Sequence, residues 1–408
     1  MRIAVVSVHT CPLIPPGSRS AGGMNVYVNM LGNEMARRGV QVDVFTQWHD
    51  PDEPQVVTTA DGMRVIHIAA GGRDEKPKEA LPALVDVFAD EVLAFAQAEG
   101  TQYDVVHAHY WLSGLVGLRL KQAWDVPLAA MFHTLGAVKN QSRAGEHEPS
   151  DRIEAERQVI ENADVVVAAT AHERDAMVRL YHGVSGHIHV VPLGVDTSRF
   201  QPLQQQVARQ ALGLNGERLL LFVGRPDPLK GLEVLISAAA QLEDPHGVRV
   251  LVIGGDASDQ GGFGRAQQVA AALDMTGQVD YLGAVEHAQL PYYYSAADVC
   301  VIPSYYESFG LVALESMACG TPVVAARVGG LPSTVKDGET GYLIPWHCPE
   351  PYAERLDLLL RNEPLRTALG GQARVAAQAY SWPSVADQIL DLYHHVQERR
   401  SANPTAGA

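Results

Sequence analysis

Short runs of valine, isoleucine and alanine alternate with amphipathic stretches along this chain, and the whole pattern is played through twice. Apolar runs of that length, joined by helix-like segments rather than tight turns, specify parallel strands with crossover helices. The first series opens on "RIAVVSV", followed by a Pro/Gly-rich loop and a predicted helix from about Gly23 to Arg38. That helix carries Met24, Val28, Leu31 and Met35 at spacings of four, three and four, and Gly39 stops it. "VQVDVFT", "MRVIHIA", "YDVVHAH", "PLAAMFH", "ADVVVAAT" and "HIHVVPLG" continue the series, giving six or seven strands in about 190 residues. After the polar "QPLQQQVARQ" the alternation restarts at "RLLLFVG" and runs through "VRVLVIGG", "VDYLG", "DVCVIPS" and "TPVVAA" to "TGYLI".

The expected fold class is therefore α/β, with two Rossmann-like, doubly wound parallel-sheet domains facing a central cleft. A chain of 408 residues suits two hydrophobic cores better than one. The N-terminal domain is assigned to residues 1–196 and the C-terminal domain to 197–380, with a hinge near Asp196 to Gln201. Residues 381–400 are expected to form a helix packing back across the domains, and 401–408 a disordered tail. Open sheets of this kind bind ligands outside the carboxyl ends of their strands, so the loops there are the candidate sites.

A formal charge of −16 repels nucleic acid and anionic membranes, so any phosphate must be held by a few placed cations. No run of 18 apolar residues is present, and the reading is a cytoplasmic protein without a membrane span. Cys11, Cys300, Cys319 and Cys348 are far apart and form no CxxC, which argues against a zinc knuckle or a disulfide framework.

Two strand-to-helix loops concentrate the chemistry. "GRPDPLKG" places Arg225 and Lys230 before a helix opening at about Leu232, two cations of the kind that grip a diphosphate. "ESFGLVALE" follows the strand "DVCVIPS" and precedes a helix opening near Leu311. Backbone N–H groups around Phe309, Gly310 and Leu311 would then form an anion site. Glu307 and Glu315 bracket this turn, and a carboxylate pair can be an acid and base, a metal clamp or two acceptors for hydroxyl groups. Beside a phosphate they fit best as hydroxyl acceptors to either side of it, which describes a nucleotide sugar. Read blandly, Glu307 caps the helix and Glu315 faces solvent. "SAGGMNVYV" offers a Gly pair at a helix start, and His133 ends the strand "PLAAMF", followed by Thr134 and Gly136. "VIGGDASDQGGFG" does not match a dinucleotide fingerprint in register. His187 and His189 alternate on a strand without an acidic or Cys partner at ligand spacing and read as surface residues, so no metal ligand is assigned.

Together "GGMNVYV", "FHTLGAVKN", "VPLGVD", "GRPDPLKG", "ESFGLVALE" and "GGLP" resemble the retaining glycosyltransferases of the GT-B fold, group 1 type, over nearly the whole chain. The resemblance implies a UDP-sugar donor seated in the C-terminal domain, with Arg225 and Lys230 on the diphosphate, Glu315 on the ribose and Glu307 on the hexose. It places Gly23 near the phosphate, His133 near the transferred sugar, and Ser308, Phe309, Gly310 and Leu311 around the donor. The implied catalytic set is His133, Arg225, Lys230 and Glu307. Within the family the pattern is similar to the D-inositol-3-phosphate glycosyltransferases, whose acceptor residues correspond to His9, Asn25, Lys78, Tyr110, Thr134 and Arg152. Where those enzymes carry an Arg beside the uracil, this chain has Val285. Short bacterial sucrose-phosphate synthases look similar but tend to carry Gln where Met24 stands.

The implied activity is retaining transfer of a hexosyl group, N-acetylglucosamine or glucose, to a phosphorylated acceptor. No cofactor is required besides the donor substrate, and the motifs leave room for a magnesium ion without predicting one. The expected partners are small-molecule substrates and a second copy of the chain in a homodimer, with no nucleic acid. The rival from another class is a non-catalytic nucleotide-sugar-binding protein, which would be expected to lack a member of the donor set. A nicotinamide-dependent oxidoreductase is disfavoured by the missing fingerprint.

Overall fold

The computed structural model describes residues 1–14, 22–74, 76–141, 148–183, 185–214, 216–225, 227–255, 263–345 and 347–402. The chain divides into two compact units, one running to Pro192 and including the stretch from Trp382 onward, the other being Leu193–Ser381.

The first unit is built on eight strands: β1 (Arg2–Ser7), β2 (Gln41–Gln47), β3 (Val56–Thr58), β4 (Arg64–Ile68), β5 (Val105–His109), β6 (Leu128–Met131), β7 (Val165–Ala168) and β8 (Ile188–Val190). Their order is β3-β4-β2-β1-β5-β6-β7-β8. All pairings are parallel except β3 with β4, which is antiparallel. Among the described residues the six or seven expected strands are thus eight. The extra one, β3, is a three-residue edge strand whose "VVT" is too short to carry a period.

Strand order reverses between β1 and β5, so the loops leaving these two strands diverge and open a crevice at their carboxyl ends. At the other end of the sheet a buried ion cluster fastens three strands. The carboxylate of Asp43 accepts from Arg2 Nη2 at 3.0 Å, from Arg64 Nε at 2.7 Å and from the Tyr103 hydroxyl at 2.8 Å. Burial opposes ionisation there, but these donors outweigh it and hold the Asp43 carboxyl below its ordinary range.

The helix Gly23–Arg37 ends at Gly39, whose φ of +82° suits a residue without a Cβ. The last helix, Trp382–Ala402, packs on it and extends two residues into the expected tail; residues 403–408 lie outside the described part. The Trp382 ring meets Tyr27 edge-on at 5.7 Å, Arg38 pairs with Asp387, and the Tyr393 hydroxyl reaches His107 Nδ1 at 2.6 Å.

The second unit carries six parallel strands: β9 (Arg218–Val223), β10 (Val248–Ile253), β11 (Val279–Gly283), β12 (Val299–Ile302), β13 (Val323–Ala326) and β14 (Gly341–Ile344). Their order, β11-β10-β9-β12-β13-β14, is doubly wound with the reversal between β9 and β12. Leu220, Phe222, Val250, Val252, Val299 and Val301 point into its core together with Leu235 and Leu356 of the covering helices. Among the described residues no helix is long and apolar enough to cross a membrane.

Candidate active site

In the second unit, the loops leaving β9 and β12 are those that flank the strand-order reversal, and they carry "GRPDPLKG" and "YYESFG". The first turns through a short 3-10 segment, Pro228–Lys230, capped by the Asp227 side chain on the Leu229 N–H at 2.9 Å. Gly231 follows at φ +67°, and a Cβ there would stand 2.3 Å from the Pro303 carbonyl oxygen, so the two loops can approach only at a glycine. Lys230 Nζ meets Glu307 Oε2 at 2.7 Å across that approach. Two residues 77 apart in sequence are thereby joined as a half-buried ion pair.

Beyond Glu307 the chain enters the helix Leu311–Ala318 through Gly310, at φ +96°. The backbone N–H groups of Phe309, Gly310 and Leu311 donate to no described residue, as the first N–H groups of a helix do when no side chain caps it. Glu307 does not cap this helix. Gly329 and Gly330, from "GGLP", brace the turn from behind: the Gly330 N–H donates to the Glu307 carbonyl at 3.0 Å. A Cβ on Gly329 would lie 1.8 Å from that same carbonyl oxygen. Phe309 is buried edge-on to Tyr380, while Ser308 is half-buried.

Glu315 does not face solvent; it is 9% exposed. The Tyr294 hydroxyl donates to its Oε2 at 2.8 Å, and His287 Nε2 lies 3.1 Å from Oε1. Arg199, which can only donate, reaches His287 Nδ1 at 2.8 Å, so Nδ1 accepts and Nε2 carries the proton that goes to Glu315. One carboxylate face is thus fixed by the protein. His287 and Tyr294 escaped the sequence reading because no motif links them to Glu315. Val285 is half-buried on the same loop as His287, and Arg225 is exposed and forms no ion pair with a described side chain.

The other sequence-predicted residues gather on the first unit, at the β1/β5 reversal. His9 follows β1 and Tyr110 follows β5, their rings 4.2 Å apart. Arg152, 4% exposed, lies over the Tyr110 ring at 4.9 Å. Its Nη2 donates to the Thr134 carbonyl at 3.0 Å, Nε to Glu156 at 2.8 Å, and Nη1 pairs with Glu148 at 2.8 Å. Arg152 is therefore a buried, fully engaged cation. Glu156 also accepts from the Gly136 N–H and from Tyr181. Asn25, 3% exposed, braces the loop after β1, donating to Thr10 Oγ1 at 2.5 Å and to the Cys11 carbonyl at 2.7 Å. Gly23 is exposed in the first turn of its helix, and the side chain of Lys78 lies outside the described residues.

His133 sits at φ +61° and Tyr110 at φ +79°. Side chains at positive φ cost about 1–3 kcal/mol each and collect at functional sites. His133 Nε2 lies 3.0 Å from His109 Nδ1, one donating and the other accepting. Burial, reinforced by His107 and His9, lowers the His133 imidazole to about 3, and burial alone brings His107 to about 3. His133 is thus a neutral imidazole, able to exchange hydrogen bonds with hydroxyl groups but not a standing cation. His109 was not singled out from "HAHY", although its place at a strand's carboxyl end is a usable signal.

Residues 204–376 match the model for glycosyl transferases group 1, and residues 21–199 that for glycosyltransferase family 4. A D-inositol 3-phosphate glycosyltransferase of Corynebacterium jeikeium is 42% identical over 406 residues, 97% of this chain and 97% of the relative. Among solved structures, a sucrose-phosphate synthase from Thermosynechococcus elongatus superposes with a TM-score of 0.89 at 35% identity, covering 98% of this chain and 99% of that one. Anabaena HepE, solved with UDP and glucose, gives a TM-score of 0.76 at 19% identity, covering 97% of this chain and 100% of that one, a likeness of fold.

Proposed function

The chain belongs to the group 1 glycosyl transferases, with their GT-B fold, and from that premise we propose that it moves a hexosyl group, N-acetylglucosaminyl or glucosyl, from a UDP-sugar to a phosphorylated acceptor. The acceptor favoured is 1D-myo-inositol 3-phosphate. The observation that carries the donor half is the Lys230–Glu307 pair beside the unpartnered amides of residues 309–311: a cation and a helix N-terminus for a diphosphate, with a carboxylate at hand for hydroxyls.

On this reading the transfer retains anomeric configuration by front-face attack. The bond from the anomeric carbon to the phosphate oxygen breaks and the sugar becomes oxocarbenium-like. The acceptor hydroxyl then bonds on the same face, and its proton passes to the departing phosphate oxygen. Charge growing on UDP is met by Lys230, Arg225 and the amides at Gly310. A carboxylate nucleophile finds no support, since Glu307 is paired with Lys230 and Glu315 is held by Tyr294 and His287. Neutral His133 contacts the transferred sugar.

The acceptor half rests on His9, Tyr110, Thr134 and Arg152, joined by Lys78 and positioned by Asn25. A phosphate there takes the place of Glu148 on Arg152, exchanging one anion for another. Inositol phosphate is favoured by relatives such as the Corynebacterium jeikeium protein, and by Met24 in place of the Gln of sucrose-phosphate synthases. The structural likeness to one such synthase, at 35% identity, supports fructose 6-phosphate as the second reading. A non-catalytic sugar-nucleotide binder is disfavoured, because the donor set is complete.

The test is a matrix of UDP-glucose and UDP-N-acetylglucosamine against inositol 3-phosphate, fructose 6-phosphate and their unphosphorylated counterparts, read by product mass. A hexosyl inositol phosphate with an α-linkage is expected. A product on fructose 6-phosphate would transfer the assignment to the second reading, and no product from any pair would overturn both.

A further inference from the structure

Behind the first unit's candidate wall lies a group of side chains that the transfer reaction does not use. Cys11, in the loop after β1, is 2% exposed, and its Sγ lies 3.6 Å from Nε2 of His67, a fully buried residue on β4. His67 Nδ1 stands 2.8 Å from the Pro54 carbonyl. A carbonyl can only accept, so Nδ1 carries a proton, and in the neutral tautomer that this leaves, the lone pair of Nε2 faces Cys11. Glu53 Oε2 lies 3.3 Å from that same nitrogen and 3.6 Å from His49 Nε2. It is a buried oxygen without a hydrogen-bond partner among the described residues. A carboxylate oxygen facing an imidazole lone pair is unfavourable unless a positive charge lies between them.

The donor atoms of Cys11, His49 and His67 all lie within 4.8 Å of one another. Tetrahedral zinc, with bonds of about 2.3 Å to sulfur and about 2.0–2.1 Å to nitrogen and oxygen, sets its ligands about 3.3–3.6 Å apart along each edge. The Cys11–His67, Glu53–His67 and Glu53–His49 separations fall in that range; Glu53 lies outside the mutually close group of Cys11, His49 and His67, and a rotamer adjustment of its half-buried side chain brings in the fourth ligand.

We propose that Cys11, His49, Glu53 and His67 hold a zinc ion. Thiolate, imidazole and carboxylate together suit zinc rather than magnesium or calcium. Binding releases the Cys11 thiol proton to solvent and forms the sulfur–metal bond, leaving a site whose two negative ligands neutralise the ion. Four protein ligands leave no open position, so the metal is structural. The Pro54 carbonyl is its outer support, fixing the His67 tautomer. The ion ties the loop after β1 to the loop after β2 and to β4. That first loop also carries Thr10 and the Cys11 carbonyl, which hold Asn25.

The full chain, stripped with chelator under reducing conditions, is to be given zinc and dialysed, with metal content and melting temperature measured. Cobalt in place of zinc supplies a spectroscopic reading. One retained zinc per chain, a zinc-dependent rise in melting temperature and a sulfur-to-cobalt charge-transfer band are expected, all lost in Cys11→Ala. A wild-type chain that is folded by circular dichroism yet retains no zinc and melts unchanged with it would overturn the proposal. So would zinc retained equally by Cys11→Ala.

Discussion

Lys230 is by sequence one of two loop cations for a diphosphate and by structure the half-buried partner of Glu307, and that pairing decides what its removal would do. In the ligand-free chain the ammonium is neutralised by one carboxylate. On the proposed reading, a bound diphosphate takes over the ammonium and leaves Glu307 to the sugar hydroxyls. Lys230→Ala therefore loses an interaction strongest in the transition state, about 3–4 kcal/mol, or roughly a hundred- to a thousandfold in kcat. Steady-state kinetics with a saturating acceptor check this, and unchanged turnover would refute the role. The pair itself was not legible in the sequence. Arg225, Lys230, Glu307 and Glu315 each stood out by type and by position after a strand, but pairwise contact across 77 residues is a product of strand order, which no local pattern encodes.

At the scale of elements, the strand-to-helix turns were the most legible part of the chain. Both helix starts, at Leu232 and Leu311, follow from an apolar run, a glycine and an amphipathic stretch, and both occur where expected. Less legible was the support behind them. "GGLP" reads as a turn, yet Gly329, at φ +51°, is where a second loop presses on the Glu307 carbonyl. Gly329→Ala must push the 307–309 turn away, and a displacement of about 1 Å at a reacting centre costs about a hundredfold. The expected result is a donor kcat/KM lowered by about that factor with an unchanged circular dichroism spectrum; a wild-type value would contradict the packing argument. The missed edge strand β3 and the Cys11–His49–His67 group share one cause. Three residues carry no period, and ligands spaced 38 and 18 residues apart match no metal-binding spacing.

For the whole molecule, buried histidines of the first unit tie stability to pH. His107, His109 and His133 are held neutral in the folded chain, chiefly by burial, below the ordinary value of 6.5. Their stabilisation is thus complete above that pH and is lost as the unfolded chain takes up protons the native one refuses. Each contributes a slope of about 1.4 kcal/mol per pH unit once pH falls below about 6.5. Glu173, whose carboxyl burial raises to about 7, acts in the opposite direction, as do Glu156 and Asp357, also raised by burial; the lowered imidazole of His189 and the carboxyls of Asp43, Glu148 and Asp196, held below their ordinary range, add to the fall. The melting temperature should fall steeply between pH 6.5 and about 4, and His107→Gln should flatten the fall; a melting temperature rising over that window would contradict the assignment. Fold class was readable because a twice-repeated alternation of apolar runs and amphipathic segments has few solutions. The proposed division of labour between the units rests only on the family's motifs.

The claim that most of this rests on is that the second unit grips a uridine diphosphate with Lys230, Arg225 and the amides at Gly310. Titration calorimetry of UDP into the chain tests it most directly. Stoichiometric binding is predicted, weakened at least about tenfold by either Lys230→Ala or Arg225→Ala, as charge-assisted hydrogen bonds require. Absence of UDP binding to the folded wild-type chain, or equal affinity in all three proteins, would contradict it.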